Sequence, residues 1–148
     1  MNKILVPIQN FSQLSLSASY FAIKFAKRNP TKILFLIFSG DSWEATPSLL
    51  RKDEESWRRQ FDGLIQQARM EKVNLELFFS NDEFLQGVSQ FARDHNTTEI
   101  VIALPQAQDT TYPKLIQNVN ALRNQGENQI VIVRPKEDQS VDGGTETV

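Results

Sequence analysis

Five short apolar runs alternate with four stretches of helical periodicity, and few folds accommodate that order. The runs occupy positions 4–8, 33–38, 75–79, 100–104 and 130–133. Four of them are nearly continuous in Ile, Val, Leu and Phe, which is how strands read when both faces are covered. The third, Leu75-Glu76-Leu77, alternates and belongs nearer a sheet edge. Strict β–α alternation implies right-handed crossovers and a parallel sheet with helices on both faces. The expectation is one α/β domain of Rossmann-like type. In such sheets ligands bind beyond the carboxyl ends of the strands, where the strand order reverses.

The helices follow from spacing. Leu14, Ala18, Phe21, Ala22, Phe25 and Ala26 share one face of the first, which Asn29-Pro30 ends. Trp57, Phe61, Leu64, Ile65 and Ala68 form the stripe of the second. Phe84, Val88, Phe91 and Ala92 mark the third, and Leu115, Val119 and Leu122 the fourth. Gly63 and Gly87 fall inside helices, where each costs up to ~1 kcal/mol against alanine. Close packing on the sheet is the expected compensation.

A chain of 148 residues, 40% apolar with ten phenylalanines, can bury one continuous core. No apolar run reaches the roughly 18 residues of a membrane span, so no membrane association is expected. Met1-Asn2-Lys3-Ile4 leads straight into strand pattern without signal-peptide architecture, and a cytoplasmic protein is expected. The absence of cysteine excludes disulfides, a thiol nucleophile and cysteine zinc sites. Net charge is −2, unevenly placed: Glu137, Asp138, Asp142 and Glu146 lie in residues 137–148 without a basic partner. The remaining fourteen acids against sixteen bases leave the body at about +2. That excess is too small for nucleic-acid binding, which shows a concentrated basic patch. We therefore divide the chain into a domain, 1–136, and an acidic, solvated tail, 137–148.

Chemistry-bearing motifs are scarce. No GxSxG elbow, Walker loop or GxGxxG fingerprint occurs, so an enzyme has no nucleophile–base pair to use. His95 is the sole histidine and sits near the end of the third helix, where an imidazolium favours the dipole. Asp53-Glu54-Glu55 is interleaved with Arg51, Lys52, Arg58 and Arg59 and reads as a salt-bridged helix surface. Asp82 precedes the third helix in an N-terminal placement. Ser39-Gly40-Asp41-Ser42 reads as a loop near the supposed crevice, and Trp43 and Trp57 read as core packing. No metal and no cofactor are expected.

The turn after the fourth strand carries more information. In a nucleotide-binding α/β protein a phosphate lies there against glycine backbone amides. Here it reads Ala103-Leu104-Pro105-Gln106, and the next glycine is Gly126. Pro105 removes one donor, Gln106 adds bulk, and no lysine or arginine lies between Ile100 and Tyr112.

The opening KILVPIQ, a helix ending in AKRN, a long second connection and FARDHNTTEIVIA together resemble the universal stress protein family over about residues 3–135. The resemblance implies strand order 3-2-1-4-5, with the switch point beside Gln9 and Ala103. It also implies that an ATP-binding member would carry an aspartate at Gln9. Its glycines would stand at Ala103, Gln106 and Ile116, followed by a hydroxyl residue at Gln117. All five are replaced here. The crevice residues are then Pro7, Gln9, Asn10, Ala103 and Gln106, of which no nucleotide role carries over from the family.

The last strand, Ile130, Val131, Ile132 and Val133, is short, β-branched and uncharged, and an uncovered edge of that kind invites pairing. The family commonly dimerises through it, so a homodimer is expected, with room for an unidentified protein partner. Two other readings compete with a non-enzymatic, regulatory or protective homodimer. One is an adenine-nucleotide module in which the amides of Gln9, Asn10, Gln106 and Gln108 replace backbone donors. The other is a small enzyme of a related α/β fold.

Overall fold

The computed structural model describes residues 2–38 and 48–135, with the side chains of 48–52 left aside. The elements run β1 (Asn2–Ile8), α1 (Gln13–Arg28), β2 (Thr31–Phe38), α2 (Ser48–Met70), β3 (Leu75–Ser80), α3 (Phe84–His95), β4 (Glu99–Ala103), α4 (Tyr112–Gln125) and β5 (Gln129–Val133). The five strands form one parallel sheet in the order β3-β2-β1-β4-β5. The alternating run is indeed an edge strand, β3. The segment 39–42, Trp43 and the tail 137–148 lie outside the described residues.

The two faces of the sheet are buried separately. Ile4, Val6, Ile8, Ile33, Phe35 and Ile37 point to one side, against Ala18, Ala22 and Ile23 of α1 and Phe61, Ile65 and Ala68 of α2. Leu5, Leu34, Leu36 and Phe38 point to the other, against Val88 and Ala92 of α3 and Leu122 of α4. Period-two alternation in the strands makes this division. It explains why β1 and β2 are apolar at almost every position. Phe61 anchors α2, lying edge-on to Phe35 with centroids 5.5 Å apart and tilted against Phe11 at 5.3 Å. Each such pair contributes about 0.5–1.5 kcal/mol beyond its area burial.

Helix ends follow the local sequence. Ser12 and Ser15 form a reciprocal capping box at the start of α1, and Lys27 and Arg28 complement the dipole in its last turn. Glu83, not Asp82, is the N-cap of α3: its carboxylate accepts from the Gln86 N–H at 3.0 Å. Asp82 keeps the expected N-terminal placement, one residue ahead of the cap. Gly126 closes α4 at φ 73°, a conformation that favours glycine.

The helical glycines have different reasons to exist. A Cβ at Gly87 would stand 2.8 Å from the Phe38 ring and 3.2 Å from the Asp82 Cβ, so α3 lies close on the sheet as expected. Phe38 is itself held by Phe84, with ring centroids 5.1 Å apart. Gly63 is exposed and a Cβ there would meet nothing within 4 Å, so close packing does not explain it. Gly63→Ala should therefore raise unfolding free energy by up to ~1 kcal/mol. Gly87→Ala should lower it by about 1–3 kcal/mol through overpacking. Urea denaturation of the two variants checks both signs, and a stabilised Gly87→Ala would contradict the close approach.

Candidate functional site at the carboxyl end of the sheet

A crevice at the switch point requires that β1 and β4 part company, and Pro7 makes them do so. Backbone groups in a strand point alternately to its two neighbours. The Lys3 carbonyl accepts the Thr98 N–H at 2.9 Å, so Lys3, Leu5 and Pro7 face β4. Pro7 has no N–H to give. The β1–β4 pairing accordingly stops at Ile4↔Glu99 and Leu5↔Ile100, whereas β1 stays paired with β2 through Ile8↔Ile37. Past Leu5 the two central strands are not tied to each other.

One wall of the opening is the β1–α1 loop. Gln9 and Asn10 are exposed, and Phe11 is buried beneath them. The Phe11 N–H donates to the Glu54 carboxylate of α2 at 3.0 Å. Glu54 stands two helical turns before Phe61 on the same stripe, so the Phe11–Phe61 ring contact brings the carboxylate to that N–H. Ser12 N–H is taken by the Ser15 hydroxyl at 2.9 Å, and Arg58 lies over the Phe11 ring at 5.2 Å. Glu54 is thus more than part of a charged helix surface. Its role rests on a contact 43 residues away in sequence, which spacing within α2 does not reveal.

The opposite wall is the β4–α4 connection. Ala103 and Leu104 are buried, and the Leu104 N–H donates to the Val133 carbonyl at 2.9 Å. Pro105 is half-buried and Gln106 exposed, its carbonyl accepting from Asp109 N–H and its side-chain oxygen from Gln108. Asp109 then fills the start of α4. Its carboxylate accepts the Thr111 N–H at 2.8 Å and the Thr111 hydroxyl at 2.7 Å, while its carbonyl accepts the Tyr112 N–H at 3.0 Å. Pro113, in the first turn, has no N–H. The backbone donors that a helix start offers to an anion are largely engaged or missing here. The motif Asp109-Thr110-Thr111-Tyr112-Pro113 was a readable signal of this, an Asx turn opening a helix with proline at its start.

The fold therefore sets Pro7, Gln9 and Asn10 at the end of one central strand and Ala103 and Gln106 at the end of its neighbour. Glu54, Asp109 and Pro113 join them from outside the sequence-based set. His95 belongs elsewhere: its Nδ1 contacts the Phe91 carbonyl at 3.1 Å and its ring stacks on Phe91 at 3.8 Å. Trp57 is half-buried against α1. Among the described residues no group of three or more histidines and acids is placed to hold a metal ion. No described helix is long and apolar enough to cross a membrane.

A parallel sheet opened at its switch point defines a Rossmann-like binding architecture. Solved structures of similar fold include universal stress proteins. The family member from Arabidopsis thaliana with AMP bound aligns with a TM-score of 0.63 at 11% identity, over 96% of this chain and 97% of its own. UspA from Lactobacillus plantarum gives 0.59 at 17% identity, over 88% and 96%. The Archaeoglobus fulgidus protein in complex with dAMP gives 0.55 at 13%, over 89% and 97%. At such identities the likeness is one of fold, and the fold is that of the universal stress proteins. No protein-family profile and no curated protein matches the sequence.

The Thr111 backbone N–H, and then its hydroxyl, hold the Asp109 carboxyl below the usual aspartate value. A carboxylate depressed in the folded state contributes stability above its unfolded pKa of about 3.9, lost as pH falls through the folded value. Asp109→Ala should lower the thermal midpoint at pH 7 and lose less of it than the parent between pH ~5 and pH ~2. Thermal scans across that range provide the check, and parallel curves would remove Asp109 from the account of the α4 start.

Proposed function

We propose that this chain is a non-enzymatic, regulatory or protective homodimer with a universal-stress-protein-like fold, acting in the cytoplasm, and that it does not bind ATP in the family manner. One observation carries the reading: Glu54 and Asp109 already occupy backbone donors on both walls of the crevice. Each is an internal anion set where an incoming phosphate would need N–H groups. A nucleotide would have to displace them and then accept their like charge nearby, which opposes binding. The replaced glycine positions Ala103, Gln106 and Ile116 support the same conclusion.

The competing reading, an adenine-nucleotide module, draws on the AMP and dAMP bound to two of the similar structures. Purified protein should release no nucleotide on denaturation and show no thermal shift with millimolar ATP or AMP. A saturable shift of several degrees, lost on changing Gln9 or Gln106, would replace our reading with that one.

Dimerisation is proposed through β5. Gln129 N–H donates to Thr98 and the Val133 carbonyl accepts from Leu104, so the odd residues face β4. By alternation Ile130 and Ile132 turn their N–H and C=O groups to the open edge. Ile132→Pro deletes an outward donor and leaves the β4–β5 ladder its partners. Light scattering after size exclusion should give a dimer for the parent at micromolar concentration and a folded monomer for this variant. A monomeric parent would overturn the proposal.

A further inference from the structure

α1 and α2 lie side by side on one face of the sheet, and an open groove runs between them. Its two stretches, about 560 and 330 Å³, share Tyr20 and Leu64. The stretch nearer the carboxyl ends of the strands adds Leu16 and Trp57, and the other described residues around them are uncharged and polar. The other adds Lys24, Lys27 and Arg28 against a single acid, Glu71. Tyr20 is 53% exposed, an unusual state for a tyrosine between two helices. Lys27 is committed to Glu71. Lys24 lies over the Tyr20 ring at 5.3 Å, and neither it nor Arg28 forms an ion pair among the described residues.

The groove is thus apolar and aromatic at one end and cationic at the other. From Gln13 to Arg28 it is about 23 Å long, four helical turns. We propose that it docks an amphipathic helix of a partner protein, laid antiparallel to α1 with an acidic first turn against Lys24 and Arg28. Acidic residues favour a helix N-terminus, so the charge pattern of the groove sets the direction of its occupant. Apolar side chains at i, i+3, i+4 and i+7 of that helix then meet Leu16, Tyr20, Trp57 and Leu64. The chain's own acidic tail fits less well, since 137–148 offers only Val141 and Val148 to the apolar stretch. A single-chain lipid anion fits less well too, because small-molecule sites enclose most of the ligand and this groove is open along its length.

The test uses the full chain carrying Trp43→Phe, so that Trp57 alone reports, and an 18-residue synthetic peptide. The peptide has leucines at positions 5, 8, 9 and 12 and glutamates at positions 1 to 3. Titration should shift Trp57 emission to the blue and saturate. Affinity should fall at least tenfold in Lys24→Glu/Arg28→Glu, with unchanged circular dichroism, and likewise for a peptide with the glutamates moved to its last turn. No saturable shift, or affinity indifferent to either change, overturns the proposal. So does a saturable shift with laurate but not with the peptide. Removal of residues 137–148 should leave peptide affinity unchanged; a tenfold gain would make the tail the occupant instead. Because Trp57 reads the groove, failure here is distinct from failure of the crevice reading, which nucleotide binding decides.

Discussion

Burial of both faces of a parallel sheet is the constraint from which the rest of this molecule follows. β1 and β2 carry apolar residues toward both sides, so neither can touch water on either face. Two helix layers are then obligatory, and right-handed crossovers decide which helix goes where. Chain order β1-β2-β3 moving one way puts α1 and α2 on one face. Return to the other side of β1 puts α3 and α4 on the second. The reversal of direction beside β1 is what creates a switch point. The position of the crevice is therefore a consequence of core formation, before any ligand enters the argument.

Within that frame, two small local events shape the crevice. Pro7 withholds the N–H that would have continued the β1–β4 ladder, so the sheet is untied at its centre. The aromatic contact between Phe11 and Phe61 then sets the height of α2 against the β1–α1 loop. With Phe61 fixed, Glu54 comes to the Phe11 N–H without further adjustment. A packing interaction worth about 1 kcal/mol thereby decides the electrostatic character of one wall.

The architecture was legible in the sequence because it is written in periodicity, which needs no knowledge of distant contacts. The alternation of Leu75-Glu76-Leu77 was enough to place β3 near an edge, the unbroken runs marked strands covered on both faces, and the strand order followed only from the family resemblance. The site was legible only in part. Ala103 to Gln106 announced the absence of a glycine cradle, but not what stands there instead. Glu54 reads as one acid in a mixed-charge helix, and only the tertiary pairing of α2 with the Phe11 loop separates it from Asp53 and Glu55. Asp109 was closer to hand, since its bonds to Thr111 are local and follow from Asx-turn chemistry. Gly63 shows the converse limit, because sequence alone does not distinguish an exposed helical glycine from one pressed on the sheet.

Glycine cradles and internal carboxylates solve the same problem in opposite ways. The start of a helix leaves backbone donors that must be satisfied by something. A glycine-rich loop leaves them open, at the cost of a flexible and incompletely bonded apo state, and a phosphate completes the structure on arrival. A side-chain carboxylate completes it permanently. Here the α4 approach supplies that group through Asp109, while Glu54 of α2 takes a loop donor one residue ahead of the α1 cap. On the reading proposed above, the protein has little conformational response left for a nucleotide to elicit at the switch point, since donors that binding would use are already taken. If it responds to anything, the response has to enter through surfaces whose interactions are still unmade. The outward backbone groups of Ile130 and Ile132 and the cationic, aromatic groove between α1 and α2 are two such surfaces among the described residues.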